Sequence, residues 1–191
     1  HNWNNAFQAS EIQDENHESV TRYQNYITSL NNLQSAGAVI VFASGNYDGE
    51  SDVSWYGALP ELHSELAEAW LSVGWVEITG NIASNTVSLK GNKCGTAKEY
   101  CLVADGHEIR TAAYFDGTDN YYSNSGSGSS YSAPMISGSI ALLKQAFPNH
   151  TAEQLTDRLL ASANNSFFSP EGNTTFTTHG NGITHGYHST W

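Results

Sequence analysis

A serine at the start of a predicted helix is the clearest candidate for chemistry in this chain. The segment from Gly128 to Pro134 reads Gly-Ser-Ser-Tyr-Ser-Ala-Pro, and apolar residues three and four apart follow it from Ile136 to Phe147. This spacing predicts a helix with Pro134 in its first turn, where a missing N–H costs nothing. Ser130 then lies beside unpaired backbone N–H groups that stabilise an oxyanion. The pattern favours acyl transfer with Ser130 as nucleophile, although Gly-Ser-Ser before a helix is also typical of a flexible loop with an N-cap.

An asparagine at the end of a predicted strand is the second candidate. The apolar run from Ala38 to Ala43 is typical of a buried strand, and it ends at Ser44-Gly45-Asn46. An asparagine at the carboxyl end of a strand can donate its side-chain amide to an oxyanion. Asn46 and Ser130 therefore supply two complementary parts of one acyl-transfer site.

Together, the two segments resemble the subtilisin-like serine proteases. In that family a strand ends in Ala-x-Gly-Asn, matched here by residues 43–46, and the nucleophile motif Gly-Thr-Ser-x-Ala-x-Pro is matched by residues 128–134. Ser129 stands in place of the threonine. The similarity covers most of residues 38–165 in order.

The resemblance implies a function for the site. It implies a serine endopeptidase that hydrolyses protein and peptide substrates through an acyl-enzyme on Ser130, with Asn46 in the oxyanion hole. Ala43, Ser44 and Gly45 would form one wall of the pocket for the residue before the scissile bond. No cofactor is required for this chemistry. Calcium sites are frequent in the family, but no ligand set matches here and no metal site is predicted.

The family's base and its orienting carboxylate do not occur in their usual setting. The family places Asp first, then His in a His-Gly-Thr context, and then Ser, with the oxyanion Asn between the last two. Too little chain precedes Asn46 for both motifs, and no histidine here precedes Gly-Thr. We therefore expect residues 1–191 to be the C-terminal portion of a single peptidase domain. The triad Asp and His would then lie upstream or on a companion fragment.

Histidines within the chain offer an alternative source of the base. The densest cluster contains His179, His185 and His188, which are surrounded by Gly, Asn and Thr. They lack a convincing carboxylate or cysteine partner for a metal. A substitute base from this cluster stays open because a general base is defined by its reach to the serine oxygen, which sequence does not report.

The two cysteines enclose a short segment. Cys94 and Cys101 have six residues between them, a spacing that suits a small disulfide loop in an oxidising compartment, whereas a zinc site would need other ligands. With the Leu-Val-Ala-Asp-Gly strand at residues 102–106, this loop resembles the passenger domains of bacterial autotransporter subtilases. That resemblance implies a secreted or cell-surface protein.

Composition excludes several other classes. With 39% hydrophobic residues the chain can build a core, so it is not a disordered tail. A formal net charge of −12 repels phosphate backbones and argues against nucleic-acid binding. No run approaches the roughly 18 apolar residues of a membrane span.

Helices and strands alternate around the two candidate residues. Apolar residues from Val20 to Leu30 predict a helix over residues 17–35 that ends at Gly37 and leads into the strand before Asn46. This alternation indicates an α/β fold. The family resemblance implies the subtilisin-like three-layer form with a mainly parallel central sheet.

The remaining segments are predicted more coarsely. Further strands are expected at 69–76 and 101–106, a short helix at 59–66, and a surface loop at 47–57. Thr151 and Gln154 predict a capping box for a last helix. The polar tail from Asn164 is read as a loop or edge hairpin, and residues 1–7 as part of a substrate-binding strand.

Two other functional classes remain. A pseudoenzyme or binding module would keep the scaffold and lack the base. A non-protease serine hydrolase would use Ser130 in another triad, but the Gly-x-Ser-x-Gly elbow of esterases is absent.

Overall fold

Three parallel strands and one antiparallel strand form the main sheet. The computed structural model describes residues 18–81, 84–112, 122–163, 174–178 and 184–188. The strands are β1 (Ile40–Ala43), β2 (Trp70–Asn81), β3 (Ser84–Lys90), β4 (Cys101–Asp105), β5 (Ile109–Ala112), β6 (Tyr122–Gly126), β7 (Thr174–Thr178) and β8 (Thr184–His188). The helices are α1 (Glu18–Ser35), α2 (Leu59–Leu62), α3 (Ser129–Ala146) and α4 (Ala152–Ser162), with 3₁₀ helices at Ser64–Ala69 and Gly95–Tyr100.

Strand β2 is the centre of this sheet. It pairs in parallel with β1 on one side and with β4 on the other, while β3 pairs antiparallel with its second half. Because β1 and β4 are both parallel to β2, their carboxyl ends meet at one edge of the sheet. The residues that follow these two strands are therefore brought together.

The sheet is covered on both faces, which gives three layers. One core contains Ile27 and Leu30 of α1 with Trp70 of β2. The other contains Ile136 of α3 and Leu160 of α4 with alternate residues of β2. Buried residues alternate between the faces as the pleat requires. The α/β architecture with helices on both sides of the sheet is confirmed, and the sheet is mixed because of β3.

Helix α1 has the predicted extent and end. It spans Glu18–Ser35, and Gly37 has a φ of +87°. The Ala38 N–H donates to Leu33 O at 3.0 Å and the Gly37 N–H to Gln34 O at 2.8 Å. These bonds satisfy carbonyls of the last turn and need a left-handed residue, which explains the glycine.

Helix α3 begins earlier than the sequence indicates. Its first residue is Ser129, so Pro134 is the sixth residue and lies inside the helix. The placement of Pro134 in the first turn was therefore wrong. The earlier start is possible because Gly128 is the N-cap, with a φ of 139°, and because the Ser129 N–H finds an acceptor outside the helix.

Other elements agree with the sequence to different degrees. The capping box of Thr151 and Gln154 is present at the start of α4, and β7 pairs antiparallel with β8 as an edge hairpin requires. The expected short helix is split into α2 and a 3₁₀ helix, and β2 extends five residues beyond its predicted end at Val76. Strands β3, β5 and β6 were not predicted. The expected substrate strand at residues 1–7 lies outside the described residues.

Cys94 and Cys101 form a disulfide. It closes the 3₁₀ helix Gly95–Tyr100 and joins that helix to the first residue of β4. The disulfide reading of the pair is confirmed, and the zinc alternative is wrong because both sulfurs are used in the bond.

Candidate active site

Asn46 follows β1 by three residues at the shared edge of the sheet. The Ser44 N–H still donates to Val73 O of β2 at 2.8 Å, and the chain then turns at Gly45, whose φ is +120°. Few side chains adopt this φ, so the turn favours glycine. Beyond the turn, Asn46 is exposed at the surface.

The start of α3 lies against the end of β4. The Gly128 N–H donates to Gly106 O at 2.9 Å, and buried Ser132 donates to Ala104 O at 3.0 Å. A Cβ on Gly106 would lie 2.6 Å from Ser132 Oγ and 2.9 Å from Gly128 O. Only a glycine at position 106 lets the helix approach this closely.

Ser129 links the helix to the Asn46 loop. Its N–H and its hydroxyl both donate to Asn46 Oδ1, at 2.8 and 2.9 Å. Its Oγ also accepts from the Gly45 N–H at 3.1 Å. Ser129 is fully buried, so these bonds are shielded from water. The Asn46 side-chain amide is therefore held in one orientation.

This orientation leaves two donors next to Ser130. Because Asn46 Oδ1 faces Ser129, the Asn46 Nδ2 group carries the side-chain N–H donors, and these find no acceptor in the part of the chain that the structure describes. The Tyr131 N–H donates to Gly128 O at 3.0 Å, while the Ser130 N–H has no acceptor among the described residues. Ser130 itself is exposed. A free hydroxyl can attack a carbonyl carbon, and free N–H groups beside it can stabilise the oxyanion that forms.

The predicted pocket wall presents mainly backbone. Ser44 is fully buried and its Oγ lies 3.5 Å from Asn92 O, so this side chain turns inward. Gly45 has no side chain, and Ala43 is half-buried. A substrate residue at this wall would meet small groups and peptide atoms, and the wall role stays a prediction.

The three histidines whose side chains the structure describes are engaged away from Ser130. The Tyr23 hydroxyl lies 2.6 Å from His63 Nε2 and Glu65 lies 3.4 Å from His63 Nδ1. Burial raises the pKa of Tyr23, so the phenol stays protonated and donates. His150 Nε2 lies 3.2 Å from an Arg158 guanidinium nitrogen.

His107 directly follows Gly106, which contacts the start of α3, but its ring pairs elsewhere. It stacks on Trp75 with ring centroids 6.5 Å apart, and its Nε2 lies 3.5 Å from Glu77 Oε1. A hydrogen bond from Lys90 and the charges of Lys90 and His107 hold the pKa of Glu77 below its usual value. Glu77 is thus a carboxylate partner for His107. Within the described part of the chain, the Ser130 hydroxyl donates no hydrogen bond to a histidine side chain.

His179 and the side chains of His185 and His188 lie outside the described residues. Among the described residues, no group of three or more His, Cys, Asp or Glu side chains is arranged to hold a metal ion. No described helix is both long and apolar enough to span a bilayer.

Sequence reasoning missed the residues that support the site. Asn92, 6% exposed, lies against the Asn46 loop. The Ser129 hydroxyl connects this loop to the helix, and Gly106 connects the end of β4 to the helix. The only signal for Asn92 was its place after the alternating residues of β3.

Comparison with known proteins identifies the class. A sequence model of the subtilase family matches residues 3–182. The chain therefore belongs to the subtilase family of serine peptidases. It is similar in fold to the solved structure of Sphericase, with a TM-score of 0.53 and 22% identity over 69% of this chain and 42% of that one.

Three curated bacterial proteins are similar to part of this chain. Serotype-specific antigen 1 of Mannheimia haemolytica is 30% identical over 139 residues, 72% of this chain and 14% of that protein. An extracellular serine protease of Serratia marcescens is 29% identical over 63% of this chain and 13% of its own length. The autotransporter lipoprotein NalP of Neisseria meningitidis serogroup B is 24% identical over 69% of this chain and 12% of its own length. The chain thus spans about one eighth of these relatives.

Proposed function

We propose that this chain is the C-terminal portion of a single peptidase domain in a secreted serine endopeptidase, with Ser130 as nucleophile. The observation that carries the proposal is the double hydrogen bond from Ser129 to Asn46 Oδ1, which leaves the Asn46 Nδ2 group and the Ser130 N–H as open donors. Membership of the subtilase family supports the same assignment.

In the proposed reaction, Ser130 Oγ attacks the carbonyl carbon of a peptide bond. Its proton passes to an imidazole base, and the carbonyl oxygen becomes an oxyanion that accepts from Asn46 Nδ2 and the Ser130 N–H. When the tetrahedral intermediate collapses, the C–N bond breaks and the amine leaves with the proton. Water then attacks the acyl-enzyme by the reverse sequence and releases the acid.

The base and its carboxylate partner are proposed to come from an upstream segment or companion fragment. Helix α3 offers a surface on which such a segment can pack. The side of α3 that faces away from the sheet begins near Ser130 and is not covered by the described residues. Met135 and Leu142 are 40% and 69% exposed, and a Cβ on Gly138 between them would meet no atom within 4 Å. These residues lie at i, i+3 and i+7, so they form one apolar stripe. A segment packed on this stripe would pass beside the nucleophile.

Substrate and location follow from the relatives. The Serratia marcescens protein is named an extracellular serine protease and NalP an autotransporter lipoprotein, which supports a secreted or surface location and protein substrates. The disulfide fits an oxidising compartment. We propose that the reaction itself needs no cofactor. Labelling of Ser130 should then persist after incubation with a chelator, provided that the fold is kept.

The proposal is tested by treating the complete protein with a fluorophosphonate and measuring intact mass. We expect one adduct, placed on Ser130 by peptide mapping and lost in Ser130→Ala. The matched control is Ser137→Ala, because Ser137 is an exposed serine of the same helix whose hydroxyl bonds only to Ala133 O. Ser137→Ala should keep the adduct.

Asn46→Ala tests the oxyanion role separately. Loss of one such donor lowers kcat by about 10²–10³. A protein that folds but takes no adduct at Ser130 would contradict the peptidase proposal and favour a pseudoenzyme or binding module. An adduct with hydrolysis of esters but not of peptides would favour a non-protease serine hydrolase.

A further inference from the structure

The segment that follows β3 runs along the loop that carries Asn46. The Gly91 N–H donates to Asp48 Oδ1 at 2.6 Å, and the Lys93 N–H donates to Glu50 O at 3.1 Å. Between these two bonds lies Asn92, which is 6% exposed. The Asn46 loop is thus bonded along its length to a second segment that contributes no atom to the proposed reaction.

Asn92 bonds to both neighbours of Asn46. Its backbone N–H donates to Gly45 O at 3.3 Å, and its Oδ1 accepts from the Tyr47 N–H at 2.9 Å. Its Nδ2 donates to Asp52 O at 2.8 Å, which uses the other end of the amide. A Cβ on Gly45 would collide with Asn92 Oδ1, so the two residues are packed without a gap.

We propose that Asn92 is a positioning residue, which fixes the backbone on both sides of Asn46 and thereby aims Asn46 Nδ2 at the oxyanion. This inference rests on the proposed function, because it concerns the same site. Asn46 itself is exposed, so its position depends on the Ser129 bonds to its side chain and on the Asn92 bonds to its two neighbours. An oxyanion donor is effective only when it is fixed before the reaction, and a displacement of about 1 Å can cost about 10²-fold in rate.

The expected effect is on the transition state and not on substrate binding. Asn92→Ala removes the acceptor for the Tyr47 N–H and the donor to Asp52 O. We expect kcat for a fluorogenic peptide amide to fall about 10- to 100-fold while KM stays within about twofold. Affinity for a peptidyl boronate, which places a tetrahedral oxygen in the hole, should fall in parallel with kcat.

Two variants separate positioning from general stability. Asn92→Asp keeps an oxygen for the Tyr47 N–H but turns a second oxygen, which cannot donate when ionised, towards Asp52 O, so it should recover only part of the kcat lost in Asn92→Ala. Thr96→Val removes side-chain bonds to Asp52, at 3.0 and 3.2 Å, between the same two segments without touching either neighbour of Asn46. It should leave kcat unchanged even if the melting temperature falls.

The test is a double-mutant cycle in the complete protein, with active sites titrated by fluorophosphonate so that kcat refers to folded enzyme. Because Asn92 acts through Asn46, Asn92→Ala should have little further effect on kcat in an Asn46→Ala background. Equal losses of kcat in both backgrounds, or a kcat of Asn92→Ala within about twofold of wild type, would overturn the inference. A wild type that neither takes the label nor hydrolyses peptides overturns the proposed function as well, so the two failures are distinguishable.

Discussion

The Ser129 hydroxyl joins the two loops that carry the proposed nucleophile and oxyanion donor. It donates to Asn46 Oδ1 and accepts from the Gly45 N–H, at 2.9 and 3.1 Å, and the residue is fully buried. Without the hydroxyl, the Gly45 N–H would lack this acceptor, and Asn46 Oδ1 would keep only the Ser129 N–H. A residue with no direct part in the proposed reaction thus holds the side chain of the proposed oxyanion donor.

Ser129→Ala should therefore lower both stability and turnover. A buried polar group left without its partner costs about 1–3 kcal/mol, so we expect a fall of that size in the free energy of unfolding. We also expect kcat to fall about tenfold or more because Asn46 is less well fixed. Denaturant unfolding and peptide hydrolysis in the complete protein measure the two effects.

Ser129→Thr is the matched control, since threonine keeps the hydroxyl. It should retain most of the kcat and stability, in line with the threonine that the family motif carries at this position. If Ser129→Ala and Ser129→Thr lose the same kcat, packing around position 129 matters more than the hydroxyl, and the linking role would be wrong.

The site was only partly predictable at the residue scale. Asn46 and Ser130 could be proposed as site residues because the end of a strand and the start of a helix are local patterns. The roles of Ser129 and Asn92 depend on bonds to residues 83 and 45 positions away in sequence. No local spacing reports such bonds, because they exist only after the sheet has aligned β1, β2 and β4 at one edge.

At the element scale, the buried part of strand β2 was predictable from the sequence, and its exposed extension was not. The predicted part of β2 lies in the core, where Trp70, Leu71 and Val73 are fully buried. Beyond Val76 the strand pairs only with β3, and Ile78 is 45% exposed. This extension is held by main-chain bonds rather than by an apolar face, so it leaves little hydrophobic pattern to read.

The disulfide also acts at the element scale, and its contribution to the free energy of unfolding can be measured. Closing a loop of about eight residues removes chain entropy worth about 2–3 kcal/mol at 25 °C. The bond encloses the 3₁₀ helix Gly95–Tyr100, in which Ala97 is fully buried and Tyr100 is 8% exposed. Reduction should therefore lower the free energy of unfolding by about that amount.

Denaturant unfolding with and without a reductant measures this loss. The Cys94→Ala/Cys101→Ala double variant should match the reduced wild type and should not respond to reductant. A wild type whose unfolding midpoint does not move on reduction, with both thiols shown to be free, would contradict the predicted contribution.

At the scale of the whole molecule, the fold leaves one side of α3 uncovered. The inner side packs on the sheet through Ile136, while Met135 and Leu142 face outward. From the sequence, α3 was interpreted only as the helix that carries the proposed nucleophile. The number of apolar residues in a helix does not show whether one of its sides is buried or two. The proposed upstream segment would pack on this second apolar side of α3.

Leu142→Glu tests, in the complete protein, whether the upstream segment packs on this side of α3. Leu142 is 69% exposed among the described residues, so the substitution removes little packing from this chain itself. If a segment carrying the base packs on it, the new carboxylate is buried without a partner. That costs about 3–5 kcal/mol and should reduce labelling of Ser130 by fluorophosphonate. Leu33→Glu is the matched control, because Leu33 is 52% exposed on α1, across the sheet from α3. Equal melting temperatures and equal labelling of the two variants would show that α3 does not receive the segment that activates Ser130.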